Sequence, residues 1–497
     1  MRTINRRTFL KGAVATAVIG GPFMGFANRA WAVSAKPSFR SLRPVEDLRD
    51  AQVRLWLPDG FQYRSFHDTE DPVVLTDGTI LPGRHDGMGA FAGSHGNVVL
   101  VRNHELNNPP AGQPPGTAFG PGTPYDARAL GGTTTVVTSP SGEVVEAFTS
   151  LNGTMMNCSG GIMPWGSWIT CEETINGPDV GPDFTGASNI PLERPHGFIF
   201  EVPAAGQSDR QPIRSAGRYA HEAVSFDPKE GILYLTEDNF AFPSGFYRYI
   251  PPSNPMETGR LEDGGRLQML AIKGQPNLDL AAEQPQRATY KVEWVDIDDP
   301  APIFPYTPGT TAQTANDQAL VYVGDQGRSL GAAYFSRLEG SAYDDGVVYF
   351  CSTQGGGAAE VAEPGEPYPS DSASGYGNGT GQIWAYHTNS QTLQLVFQSP
   401  GAETLDFPDN VTTSRRGTLI LCEDNVNDNF LRGLSRGGDL FDIALNRLVS
   451  RLTGQPRFND EFAGSTFSPD GETLFVNIQA SRGMTFAIWG PWEKVGV

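Results

Sequence analysis

The chain has 497 residues, of which 59 are glycine and 39 proline, so about one in five is a helix breaker or a turn former. That excludes a helical bundle or coiled coil, where such residues cost about 1–3 kcal/mol each. Acids outnumber bases 56 to 36, a formal charge of -20, which argues against nucleic acid as a partner; the 38% of hydrophobic residues is ample for a core.

Residues 1–32 read as an address. Arg6-Arg7 with Phe9, Leu10 and Lys11, a weakly apolar stretch and the small-x-small site Ala30-Trp31-Ala32 form a twin-arginine signal cleaved after Ala32. The apolar stretch falls short of the ~20 residues that span a bilayer. The reading is therefore export by the twin-arginine machinery to the periplasm or beyond, with no membrane association and residues 33–497 forming a single domain, expected to be monomeric.

After the signal the pattern is strand, turn, strand. Val98-Val99-Leu100-Val101 runs into Asn103-His104-Glu105, and Trp168-Ile169-Thr170-Cys171 runs into Glu172-Glu173. The stretches 222–239, 410–425 and 465–477 each read as two strands around a turn. Segment 290–296 or segment 320–324 supplies a further strand, and the best helix candidate is 439–448. Glycine- and proline-rich stretches at 109–124 and 358–381 read as covering loops. A unit of roughly 55–70 residues built from short strands predicts an all-β chain: a β-propeller of about six blades, with long inter-strand loops and few short helices.

Acids collect where the apolar runs end: Glu105, Glu172 and Glu173, Glu237-Asp238-Asn239, and Glu423, Asp424 and Asn425. In a propeller, equivalent strand ends converge on the central channel, where clustered carboxylates repel one another unless a cation sits among them. Carboxylate and amide oxygens suit hard cations, Ca2+ foremost. Arg337 and Glu339, two apart on one strand, face the same way, so one can bind an anion while the other holds a cation. Gly327-Arg328-Ser329-Leu330-Gly331 matches a nucleophile elbow, but the fold is not α/β. Cys171, Cys351 and Cys422 lie in apolar runs as buried thiols do; Cys158 lies in a polar, glycine-rich turn. Four cysteines allow three disulfide pairings, and spacing does not choose among them.

The segment Met156-Asn157-Cys158-Ser159-Gly160-Gly161, followed by Pro164-Trp165-Gly166-Ser167-Trp168 and Cys171-Glu172-Glu173, resembles the PhoX-type alkaline phosphatases. His85-Asp86-Gly87-Met88, Asn103-His104-Glu105, Gly217-Arg218-Tyr219, His221-Glu222 and Arg337-x-Glu339-Gly340 extend the likeness. The resemblance implies an exported six-bladed propeller whose channel holds calcium and iron (Fe3+) and hydrolyses phosphate monoesters, with diesters as a further substrate class. It makes Cys158 a thiolate ligand of iron and a catalytic residue. Glu222, Glu339 and Asp409 become shared metal ligands, with Asp406 the alternative to Asp409, and Arg337 grips the phosphate. Asn103 is assigned to substrate binding. Glu105, Glu172, Glu173, Glu423 and Asp424 join the metal ligands from the strand-end pattern. Two other readings stay open: a Ca2+-dependent propeller lactonase or sugar-ester hydrolase, and a non-catalytic Ca2+-binding propeller.

Overall fold

The computed structural model describes residues 41–361 and 375–497; the twin-arginine segment and most of the glycine-rich 358–381 stretch lie outside them. The regular structure of the described chain is almost wholly antiparallel strand, with one helix longer than four residues, Asn316–Ser329. Four sheets of three to six strands and one of nine form a propeller-like arrangement. Its innermost strands, His85–Ala92, Asn157–Met163, His221–Asp227, Leu338–Asp344, Pro408–Thr413 and Glu461–Phe467, neighbour one another in sequence order, and the last returns to the first.

The apolar runs follow from this packing. Successive strand residues point to opposite faces, and here both faces meet a neighbouring sheet. In Leu419–Glu423, Leu419 and Leu421 pack with Tyr349 and Ile383 on one side, while Ile420 and Cys422 pack with Leu474 and Val476 on the other. Each such side chain contributes about 1.5–3 kcal/mol by leaving water, and a polar residue would be tolerated on neither side.

The ring is closed by the chain's own early segment. Gln62–Phe66 pairs with Met484–Trp489, Phe66 opposite Thr485 and Gln62 opposite Trp489, so the last sheet takes its outer strand from near the start. Tyr63 packs under that seam with Phe486, Ile488 and Trp492.

Two assignments made from the sequence change. Segment 439–448 contains the strand Leu440–Asn446 and not a helix. Leu440 and Phe441 face different cores and Phe430–Leu434 supplies a hydrogen-bonding partner, so tertiary pairing overrides the helix preference of Ala444 and Leu445. Of the two alternatives for the missing strand, Thr289–Asp296 is one, whereas 320–324 lies inside the helix, where Ala319, Val323 and Gly327 turn one face inward. The elbow-like Gly327-Arg328-Ser329 forms the last turn of that helix, which excludes a strand-to-helix nucleophile turn. All four cysteines are buried and free.

Candidate active site and cation cluster

Each innermost strand carries the same irregularity close to its start. His85 pairs with His104 and Met88 with Arg102, so two residues on the inner strand, Asp86 and Gly87, lie opposite one, Asn103, on its partner. The same one-residue bulge separates Asn157 from Gly160, His221 from Val224, Leu338 from Ser341, Pro408 from Val411 and Ala463 from Thr466. A bulge bends the strand and re-aims the side chain within it. The residues in the first bulged position are Asp86, Cys158, Glu222, Glu339, Asp409 and Gly464.

The bulges close tightly on one another. A Cβ on Gly87 would lie 2.5 Å from the Ser159 Cα, and one on Gly340 would lie 2.7 Å from the Asp409 carbonyl oxygen. Glycine is therefore required at both places for neighbouring backbones to approach.

Three groups of donor atoms result, each with its atoms within 4.8 Å of one another: Cys158, Glu173 and Glu222; Glu222, Glu339 and Asp409; and Asp409, Asp424 and Glu461. Shared members link them into one chain of donors. Asp409 belongs to two groups and Asp406 to none of them.

The second strands explain which acids take part. Three of them, Ser167–Glu172, Ile232–Glu237 and Leu419–Glu423, end on an acid that turns into the scaffold, and the next residue faces the channel. Glu172 accepts hydrogen bonds from Met155 N (3.0 Å), Gly197 N (2.9 Å) and Phe198 N (3.1 Å), and its Oε1 lies 2.6 Å from His196 Nδ1. Glu423 accepts from Asp406 N, Phe430 N and Arg432 Nε. Glu237 accepts from Gly245 N and the Tyr247 hydroxyl. The structure thus separates Glu172 and Glu423 from the donor groups that Glu173 and Asp424 join, because their lone pairs are already committed to backbone and side-chain donors. Glu105 stands close by, paired with Arg84 and accepting from Gln479, which also donates to Asp86.

Asn103 is likewise committed. Fully buried, it donates to the carbonyls of Cys158 and Ser159, both at 2.8 Å, and accepts from Trp168 Nε1 and Thr170 Oγ1, both at 2.9 Å. These bonds hold the Cys158 bulge in place and occupy both amide protons and the amide oxygen within the fold.

Burial first, and then neighbouring carboxylates, push Asp86, Glu173, Glu222, Glu339 and Glu461 well above the usual carboxylate range and Asp409 up to about 7. Burial, Glu222 and Glu173 likewise hold the Cys158 thiol well above its ordinary value. A bound cation reverses this balance, because it attracts every charge that now repels the others. All-oxygen groups fit a hard divalent cation, and the thiol-containing group fits a transition metal.

Arg337 faces these acids, as Arg84 does from beside Glu105. It sits at φ +39, a left-handed backbone position that favours glycine, just before the Glu339 bulge. Its guanidinium bonds Asp238 at 2.9 Å and Glu339 at 3.0 Å, with Gln354 at 3.4 Å. Burial opposes its charge, but Asp238 and Glu339 outweigh burial and raise it well above the ordinary arginine value.

Sequence reasoning missed Asp86, Glu461 and Arg84 as members of the site, and placed Asp238 among the strand-end acids without giving it a role. His85-Asp86 opens its strand as His221-Glu222 does, which was a signal for Asp86, and Asp238 follows Glu237 as Glu173 follows Glu172. Glu461 precedes its bulge, and nothing local marks it.

Together the fold and these donors define a β-propeller-like protein whose acidic channel offers groups of donors for cations. The chain belongs to the PhoX family of alkaline phosphatases: the family model matches residues 40–147 and 124–481. It is a phosphatase of that type. Among solved structures it is similar to PhoX of Pseudomonas fluorescens in complex with vanadate, a transition-state analogue, at 16% identity and a TM-score of 0.61, covering 93% of this chain and 99% of that one. A gluconolactonase of Xanthomonas campestris matches more weakly, at 10% identity and a TM-score of 0.37, covering 90% and 98%. No curated protein sequence matches the chain significantly.

Proposed function

We propose that the chain is an exported phosphatase that hydrolyses phosphate monoesters, with diesters as a further class, in the channel of a six-bladed propeller. The observation that carries this is the placement of Arg337 beside three linked donor groups. Six blades follow if the nine-stranded sheet is counted as two joined through Thr289–Asp296, and the six recurrences of one bulge support that count.

Glu222, Glu339, Asp409, Asp424 and Glu461 would hold Ca2+, and Cys158 with Glu173 and Glu222 would hold iron. Bound there, the ions supply Lewis-acid polarisation of phosphoryl oxygens. The chain's own residues do the rest. Arg337 exchanges its carboxylate partners for the oxygens of the phosphate and stabilises the charge that spreads over them. The Asn103 bonds fix the Cys158 bulge, and the carboxylates pre-set the positions of the cations.

The test is hydrolysis of p-nitrophenyl phosphate at alkaline pH, with and without chelator, together with elemental analysis of the purified protein. Cys158→Ala and Arg337→Ala should each lower kcat/KM at least a hundredfold; full activity in both variants would refute the assignment. The twin-arginine reading is tested by Arg6→Lys with Arg7→Lys, which should retain the protein in the cytoplasm.

A further inference from the structure

Arg337 has acids on one side and an aromatic ring on another. Phe240, two residues past Asp238 on the turn leaving Ile232–Glu237, places its ring centroid 5.1 Å from the guanidinium carbon. Nearly half of the residue, 49%, is open to solvent. Its position is fixed by the backbone: the Phe240 carbonyl accepts from Tyr376 N at 2.7 Å, and Asn239 N donates to Ser244 Oγ at 3.1 Å. Gly375 completes this wall, since a Cβ there would lie 3.3 Å from the Arg337 Cδ.

A phosphate monoester gripped by Arg337 must send its organic part away from the channel carboxylates. Asp238, Glu339 and Gln354 surround the inner side of the guanidinium and offer such a group no apolar contact. Phe240 does: a rigid, flat, half-exposed face next to the phosphate grip. Exposed apolar area favours contact with other apolar area, and an aromatic face favours a second flat ring.

We propose that Phe240 is a specificity-determining residue, a platform on which the aromatic ring of a phosphate monoester stacks while Arg337 holds the phosphate. The inference rests on the role given to Arg337 above. It makes esters carrying a flat ring better substrates than esters of small aliphatic alcohols.

The experiment measures kcat and KM for p-nitrophenyl phosphate and glycerol 2-phosphate in the wild type, Phe240→Ala, Phe240→Leu and Phe240→Trp. The ratio of the two specificity constants, compared across variants, cancels the intrinsic difference in leaving-group reactivity. The aryl preference should fall about tenfold in Phe240→Ala, in the range found for loss of one stacking partner, with the change in KM for the aryl ester. It should fall part of the way in Phe240→Leu, which keeps apolar bulk and guards against a poorly folded alanine variant, and persist in Phe240→Trp. An unchanged ratio in the alanine and leucine variants, or an equal loss on both esters, overturns the platform while leaving the phosphatase reading intact. A metal-loaded wild type that hydrolyses neither ester overturns that reading, and the platform with it.

Discussion

Removing the imidazole of His196 should destabilise the protein in a way that disappears as the solution is made alkaline. His196 is fully buried between two buried carboxylates, Nδ1 at 2.6 Å from Glu172 and Nε2 at 3.5 Å from Asp126. Burial opposes its protonation, but attraction to Glu172 and Asp126, with the hydrogen bond to Glu172, outweighs it and raises the imidazole to about 9. In the unfolded chain histidine titrates near 6.5, and about 2.5 units of difference at 1.36 kcal/mol each correspond to roughly 3 kcal/mol. Because the folded value is the higher one, this stabilisation is complete below about pH 6.5 and is lost as pH rises through about 9. Urea unfolding of the wild type and His196→Gln, with free Ca2+ held constant, gives the stability gap at pH 6.5, 8 and 9.5. The gap should shrink by about 3 kcal/mol across that range, and a gap independent of pH would refute a charged His196.

Two further outcomes follow from the donors around the channel. Glu423→Ala should cost about 3 kcal/mol, because it strips a buried partner from Arg432, and should leave cation content unchanged; Asp424→Ala should lower cation content without destabilising the metal-free protein. Since protons compete with cations for carboxylates and Asp409 is pushed up to about 7, the apparent Kd for Ca2+ of metal-stripped protein should rise at least tenfold between pH 8 and pH 6, measured by calorimetry, and a flat profile would contradict the shared-carboxylate site.

The hairpins at 222–239, 410–425 and 465–477 were legible because an apolar run on each side of a turn has few alternatives. The acids were legible as a set but not individually. Glu172 and Glu173 are chemically equivalent in the sequence, and donors such as the backbone amides of Gly197 and Phe198, arriving from 25 and 26 residues away, decide which one turns into the scaffold. The bulges were not legible at all. One unpaired residue leaves no mark on an apolar pattern, yet it places Asp86, Cys158, Glu222, Glu339 and Asp409 on the axis. Strand 440–446 and helix 316–329 were misjudged for a related reason, since their state is set by partners far along the chain.

The seam between Gln62–Phe66 and Met484–Trp489 gives the molecule a check on its own completeness. Gln479 reaches Asp86 across 393 residues of sequence, and Asp409 and Glu461 come from the final third of the chain. A nascent or truncated polypeptide can therefore fold many hairpins, and even gather Cys158, Glu173 and Glu222, and still lack the two donor groups that need Asp409. The full set of linked donors is complete only when the last sheet takes its outer strand from near the start of the chain.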